Sequence, residues 1–253
     1  MKNISRNAII GYPAGIITGI TYGLNPLFGV PLMQDGAAIE SILFFRYSIA
    51  VLFLGLFLLL SRQSFRISWK QAGVLLVLGL LYTASSAFLF EAYHYIASGL
   101  ATTLVFLYPV LVAIIMVFLR VVPSWPVWLS IFLTFVGVVI MTQSDYALMV
   151  GAIVFLTKIN FSGINITDGL TGDWAWLNLV GLAVLPTVVS TATLAVATRN
   201  IGATKASVLG VFEPVTAILI GTIVFGEPLT TNIIVGILLS VVAIVFMILK
   251  TKR

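Results

Sequence analysis

Residues 69–118 align with residues 174–223 at a constant offset of 105, without a gap. Twelve of those fifty positions are identical, among them Trp69/Trp174, Ser85/Ser190, Ala101/Ala206 and Pro109/Pro214. An apolar chain repeats leucine and alanine by composition alone, but matched tryptophan, serine and proline are harder to obtain that way. The charges around the two copies have opposite signs. Arg62 and Arg66 precede the first copy and Lys70 is its second residue, while Asp168 and Asp173 precede the second. Glu91 and His94 stand in the middle of the first copy, where the second has Arg199 and Lys205. Arg120 follows the first copy and Glu227 the second. Lys and Arg of short loops remain on the cytoplasmic side of a membrane, so the two copies are expected to cross in opposite directions. Inverted repeats of this kind characterise secondary transporters, with the substrate site near the midplane between the halves.

The repeat lies in a chain that is 60% hydrophobic and 8% charged, with a mean hydropathy of +1.17. Soluble domains carry about 25% charged residues. The expected fold class is therefore an all-α polytopic membrane protein, an inverted repeat of helical halves. A spanning helix needs about 20 apolar residues. Such stretches occur at 8–31, 38–61, 71–90, 97–119, 125–142, 174–197, 205–225 and 229–249. With Lys and Arg inside, both termini are expected to be cytoplasmic. The first stretch lacks a small-residue cleavage pattern and is expected to stay as an anchor rather than leave as a signal peptide.

One apolar run breaks the pattern. Residues 147–157 number eleven, which as a helix would reach about 16 Å, half of a ~30 Å hydrocarbon core. A crossing there would also put Arg199, Lys205 and the basic tail outside. The run is expected to be re-entrant, interfacial or the stub of a span. The halves are taken as 7–143 and 146–250, the second short by about thirty residues, enough for one span and its loop. Asn160 and Asn165 begin matches to the N-glycosylation sequon, a pattern common by chance.

Absences narrow the function. The chain has no cysteine and one histidine, which excludes thiolate chemistry and a histidine-rich metal site. No cofactor is expected. A Walker-type Gly-x-x-x-x-Gly-Lys and a Gly-x-Ser-x-Gly are both missing, so neither ATP-driven transport nor serine hydrolysis is supported. The net charge of +5 is scattered over short loops and termini, without the patch that nucleic acid would need.

The stretch from Ile201 to Thr230, with Ala206-Ser207, Glu213-Pro214 and Gly226-Glu-Pro-Leu-Thr230, together with Phe44-Phe-Arg-Tyr47 and Gly23-Leu-Asn-Pro26, resembles the EamA-like family of the drug/metabolite transporter superfamily. The resemblance covers nearly the whole chain. It implies an inner-membrane carrier of small metabolites, often an exporter, built as two inverted five-helix halves; amino acids and drugs are the substrate classes considered. It also implies two full spans between residues 143 and 174, where this chain has room for half a span. The expected partners are the lipid bilayer and a small-molecule substrate, and a homodimer is left open.

Glu213 lies about 12 Å along its helix from Lys205. A carboxylate at that depth lines a cavity or is anchored to a neighbouring helix. Pro214 kinks the helix beside it, and the matching pair in the first copy is Tyr108 and Pro109. Arg46 lies about 12 Å inward from Ala38; it is expected either to pair with Glu213, with a shared role in binding a zwitterionic or anionic substrate, or to snorkel to the outer interface. Gly11, Gly15, Gly19 and Gly23 form one smooth face for close helix packing. Asn25 and Pro26 interrupt the same helix, either lining a cavity or marking a simple kink. Tyr22, Tyr82, Tyr93, Tyr95 and Phe212 are candidates for an aromatic cavity or for the interfacial belt. Glu91 and His94 fit a solvated turn, with proton sensing by His94 the other reading. Three functions compete: a secondary carrier working by alternating access, a shortened and transport-inactive relative of one, and a membrane-embedded enzyme, which the missing constellations disfavour.

Overall fold

The computed structural model describes residues 6–62, 67–106, 108–142, 170, 172 and 174–250. Every regular element among them is helical. Eight helical segments follow one another: α1 (Arg6–Gln34), α2 (Ile39–Leu60), α3 (Trp69–Ala92), α4 (Ser98–Phe118), α5 (Trp125–Thr142), α6 (Ala175–Ile201), α7 (Ala203–Phe225) and α8 (Thr231–Lys250). Seven are long and apolar enough to cross a membrane; in α5 the apolar stretch, Trp125–Gly137, is shorter. Their outward faces carry leucine, isoleucine and phenylalanine in the open, such as Leu52, Leu76 and Phe118. This surface suits lipid, and the chain is a multi-pass membrane protein. The short run 147–157 and both sequons lie outside the described residues.

Lipid tails are as apolar as leucine, so small residues and interhelical hydrogen bonds hold such a bundle together. The α5–α8 contact shows both. The Ser130 hydroxyl donates to the Ala243 carbonyl across the interface at 2.8 Å, and a β-carbon at Gly137 would stand 2.9 Å from the Gly236 carbonyl oxygen. The glycine face of α1 does the same against α6 and α7. Gly11 abuts Ile201, Gly15 abuts Leu209, Gly19 abuts Phe212, and Gly23 abuts the Glu213 carbonyl and Thr216. Halfway along, Thr18 and Thr193 share a hydrogen bond at 2.8 Å.

Four spans are irregular near their middles. Proline lacks an N–H and its ring crowds the carbonyl four residues back. In α4 the helix stops at Val105 and restarts at Tyr108, before Pro109; in α7 it stops at Leu209 and restarts at Phe212, before Pro214. The breaks fall within one residue of each other in the repeat alignment. α1 breaks at Gly23-Leu24, and Pro26 opens its second piece, where a missing N–H is harmless. α6 holds a π-helical turn, Val184–Val189, around Pro186.

The Gly-Glu-Pro turn after α7 has a structural role. Gly226 closes α7 in the left-handed conformation, at φ +69°, which a side chain would strain. Glu227 then reaches the start of α4, accepting from the Ser98 N–H and hydroxyl, both at 2.8 Å, and from the Gly99 N–H at 3.4 Å. A carboxylate here satisfies donors that a helix N-terminus leaves unpaired. Glu227→Ala is expected to destabilise the fold by about 0.5–2 kcal/mol, seen as a lower thermal midpoint in detergent; an unchanged midpoint would show the cap to be redundant.

Candidate functional site

The described residues enclose a cavity of about 430 Å³ between α1, α3, α4, α6 and α7. Its deep end holds Tyr22, Tyr82, Tyr108 and Glu213; Thr18, Ser190 and Ser207 line its wall, and it extends to Thr198 and Ala203 at the α6–α7 junction. Arg199 and Lys205 stand at that junction, so the cavity runs from mid-bundle to the basic ends of the helices. The opposite half is filled. Leu32, Ile42, Phe90, Leu179 and Leu182 form a buried cluster there, and Phe45 meets Trp176 edge-on at 5.3 Å.

Glu213 is 6% exposed and lies in the first turn of the second piece of α7, where the helix dipole favours a negative charge. Its carboxylate accepts a hydrogen bond from the Tyr108 hydroxyl at 3.1 Å. The two residues hold equivalent positions in the repeat, so the pseudo-symmetric kinks bring an acid and a phenol together. Gly210 makes room: a β-carbon there would overlap the Tyr108 hydroxyl. Beside them, Gly19 and Gly23 let the α1 backbone rest directly against the Glu213 backbone.

Arg46 is fully buried, which excludes snorkelling, and it does not pair with Glu213. Its Nε donates to the Thr187 hydroxyl at 2.7 Å, and both terminal nitrogens have no hydrogen-bond partner among the described residues. Thr187 belongs to the π-turn of α6. Pro186 cannot donate to the Leu182 carbonyl four residues back; the Thr187 hydroxyl does so at 3.0 Å while accepting from Arg46. The guanidinium also lies over the rings of Tyr47 at 5.6 Å and Phe90 at 5.9 Å. Cation–π contacts contribute about 0.5–2 kcal/mol each, whereas taking an ion out of water costs several kcal/mol. These contacts alone do not offset the burial of the cation.

Asn25 does not line the cavity. Its amide turns back to the Tyr22 carbonyl at 2.7 Å, bridging the α1 break, and its side-chain oxygen is buried without a partner. Of the aromatic candidates, Tyr22 and Tyr82 line the cavity, and the Tyr82 hydroxyl has no partner. Tyr93 instead shares a hydrogen bond with Thr102 at 3.3 Å, Tyr95 donates to Glu91 at 3.2 Å in the α3–α4 turn, and Phe212 packs against the α7 core. His94 is exposed in that turn. Sequence reasoning missed the hydroxyl-bearing wall of Thr18, Ser190 and Ser207, and also Thr187. The signals were the Ser85/Ser190 match, which put a hydroxyl on both cavity-facing copies, and Pro186 within an apolar span. Among the described residues no three potential metal ligands cluster.

Two segments of the chain, residues 9–143 and 145–249, match the model of the EamA-like transporter family. The second match spans 105 residues against 135 for the first. No curated protein matches the chain.

Proposed function

The chain belongs to the EamA-like transporter family, and on that premise we propose that it is a secondary transporter of small metabolites, working by alternating access between inverted halves. The observation that carries this reading is the cavity lined by Tyr108 and Glu213, whose wall reaches Thr198 and Ala203 at the basic ends of α6 and α7, while an apolar cluster fills the acidic ends. With Lys and Arg inside, this is a cytoplasm-facing arrangement in a bacterial inner membrane, with both termini cytoplasmic. Export of amino acids or of drug-like molecules fits such a cavity: polar groups line a largely apolar chamber, which is how small-molecule sites obtain orientation without a charged cage.

Two matched kinks make the exchange mechanically reasonable. The broken α4 and α7 meet at Tyr108 and Glu213, so their half-helices can tilt about the break without disturbing the outer contacts. A second reading, a transport-inactive relative, draws on the shorter second match.

Topology and transport together separate the two readings. The chain has no cysteine, so single cysteines at Asp145, Gly163 and Thr251 can be probed on intact cells with an impermeant maleimide. Labelling of the first two and not the third is expected. Purified protein in liposomes is then expected to speed the entry of at least one radiolabelled amino acid or drug from a panel. Labelling of Asp145 and Thr251 without Gly163 would place the halves in parallel and, with no accelerated solute, would leave the inactive relative standing.

A further inference from the structure

We propose that the Arg46 guanidinium is an anion-recognising end of the substrate site and takes a carboxylate of the transported molecule. The inference rests on the transporter reading above. Three observations carry it. First, Arg46 is fully buried with both terminal nitrogens unpartnered while Nε is held by Thr187. This leaves free the end of the guanidinium fork that binds a carboxylate through two parallel hydrogen bonds.

Second, no carboxylate among the described residues supplies the missing charge. Glu213 accepts from Tyr108, Glu227 from Ser98, and Glu91 from Tyr95. Asp35 meets Gly172, and Glu40 sits in the first turn of α2. A buried cation with a rigid donor fork and no counter-charge among the described residues is built for an anion that arrives from elsewhere.

Third, Arg46 is one ring away from a residue of the cavity wall. Its guanidinium lies 5.6 Å from the Tyr47 ring centroid, and that ring lies 5.8 Å from the ring of Tyr82, which lines the cavity and whose buried hydroxyl has no partner among the described residues. A solute entering from the basic end thus meets Glu213 and Tyr108 first, and the cation lies beyond the tyrosines. The apolar cluster above closes the other side, so the guanidinium is screened from outside water in this state.

The test is equilibrium binding with the purified full chain in nanodiscs, read as the thermal midpoint. Sodium acetate and sodium chloride are titrated separately against the sodium salt of a bulky sulfonate. Acetate is expected to raise the wild-type midpoint saturably. Arg46→Lys, which keeps the charge and loses the fork, is expected to need about tenfold more acetate or worse; Arg46→Gln should abolish the response. A response to chloride without one to acetate would make the anion a free halide and overturn the proposal. No saturable response in wild type overturns it whether or not the variants fold, and so does an undiminished response in Arg46→Gln or Arg46→Lys. Because binding is read without transport, a flat acetate titration in a protein that still transports removes only the Arg46 subsite.

Discussion

Glu213→Gln is expected to keep the protein folded and to cut transport of any solute found by the liposome panel about tenfold or more, the equivalent of roughly 1.4 kcal/mol. Glutamine has the same shape, and its side-chain oxygen can still accept from Tyr108, so the α4–α7 junction is kept. What it lacks is a charge that can form in a cavity of about 430 Å³ whose described wall carries no other carboxylate. Interactions with ionised partners are roughly twice as strong as neutral ones, and a binding site loses most when a buried polar group is left mismatched. Tyr108→Phe is the companion experiment. It removes one hydrogen bond and should cost about 1 kcal/mol of stability, with a smaller loss of transport. If Glu213→Gln transports like wild type while Tyr108→Phe unfolds more easily, Glu213 is an anchor between helices and the cavity works without it.

The second large effect is expected at Gly23. A β-carbon there would lie 2.5 Å from the Glu213 carbonyl oxygen and 2.6 Å from the Thr216 β-carbon. Backbone cannot rotate aside, so Gly23→Ala must push α1 away from α7, at about 1–3 kcal/mol or more. Gly23 lies in the break of α1, so no helix-propensity gain offsets this cost. At Gly15 the nearest atom is the tip of Leu209, at 2.5 Å. A leucine end can change rotamer, so Gly15→Ala should be milder. Gly55 and Gly79 have open space within 4 Å, and alanine there should be neutral or stabilising. The ordering of thermal midpoints, Gly23→Ala lowest and Gly55→Ala highest, checks the packing of α1 directly. A Gly23→Ala midpoint at or above wild type would mean that α1 and α7 are not in close contact.

Much of this was legible in the sequence because a bilayer enforces it. Length and apolarity set the spans, and the four-residue glycine spacing marked the face of α1 that meets α6 and α7. The prolines at 109 and 214 marked the kinks. The site was legible in part. Depth arguments put Glu213 and Arg46 at similar levels, but depth says nothing about azimuth around the helix. Arg46 faces Thr187 of α6, and Glu213 faces Tyr108 of α4. Of the two readings of Asn25, the kink is the one the hydrogen bond favours: a side chain beside a helix break has a local partner available, here the Tyr22 carbonyl, and local bonds compete with a cavity. Glu227 read as a loop charge; its role depends on α4 beginning exactly where the α7–α8 turn passes, a tertiary coincidence that no local pattern encodes.

The pairing of Pro186 with Thr187 has a consequence for how such a chain can drift over generations. The proline leaves the Leu182 carbonyl without its helical donor, and the threonine answers that carbonyl with the same oxygen that receives Arg46. Losing Thr187 first strands both a carbonyl and a cation. Losing Pro186 first restores an N–H that can meet the Leu182 carbonyl, and the Thr187 contact with Arg46 is then expected to weaken. Either step removes a contact of Arg46, so the three positions are expected to be energetically coupled. Descendants should either keep all three together or have exchanged them together, which makes the trio a heritable unit spread across two helices 141 residues apart in the chain.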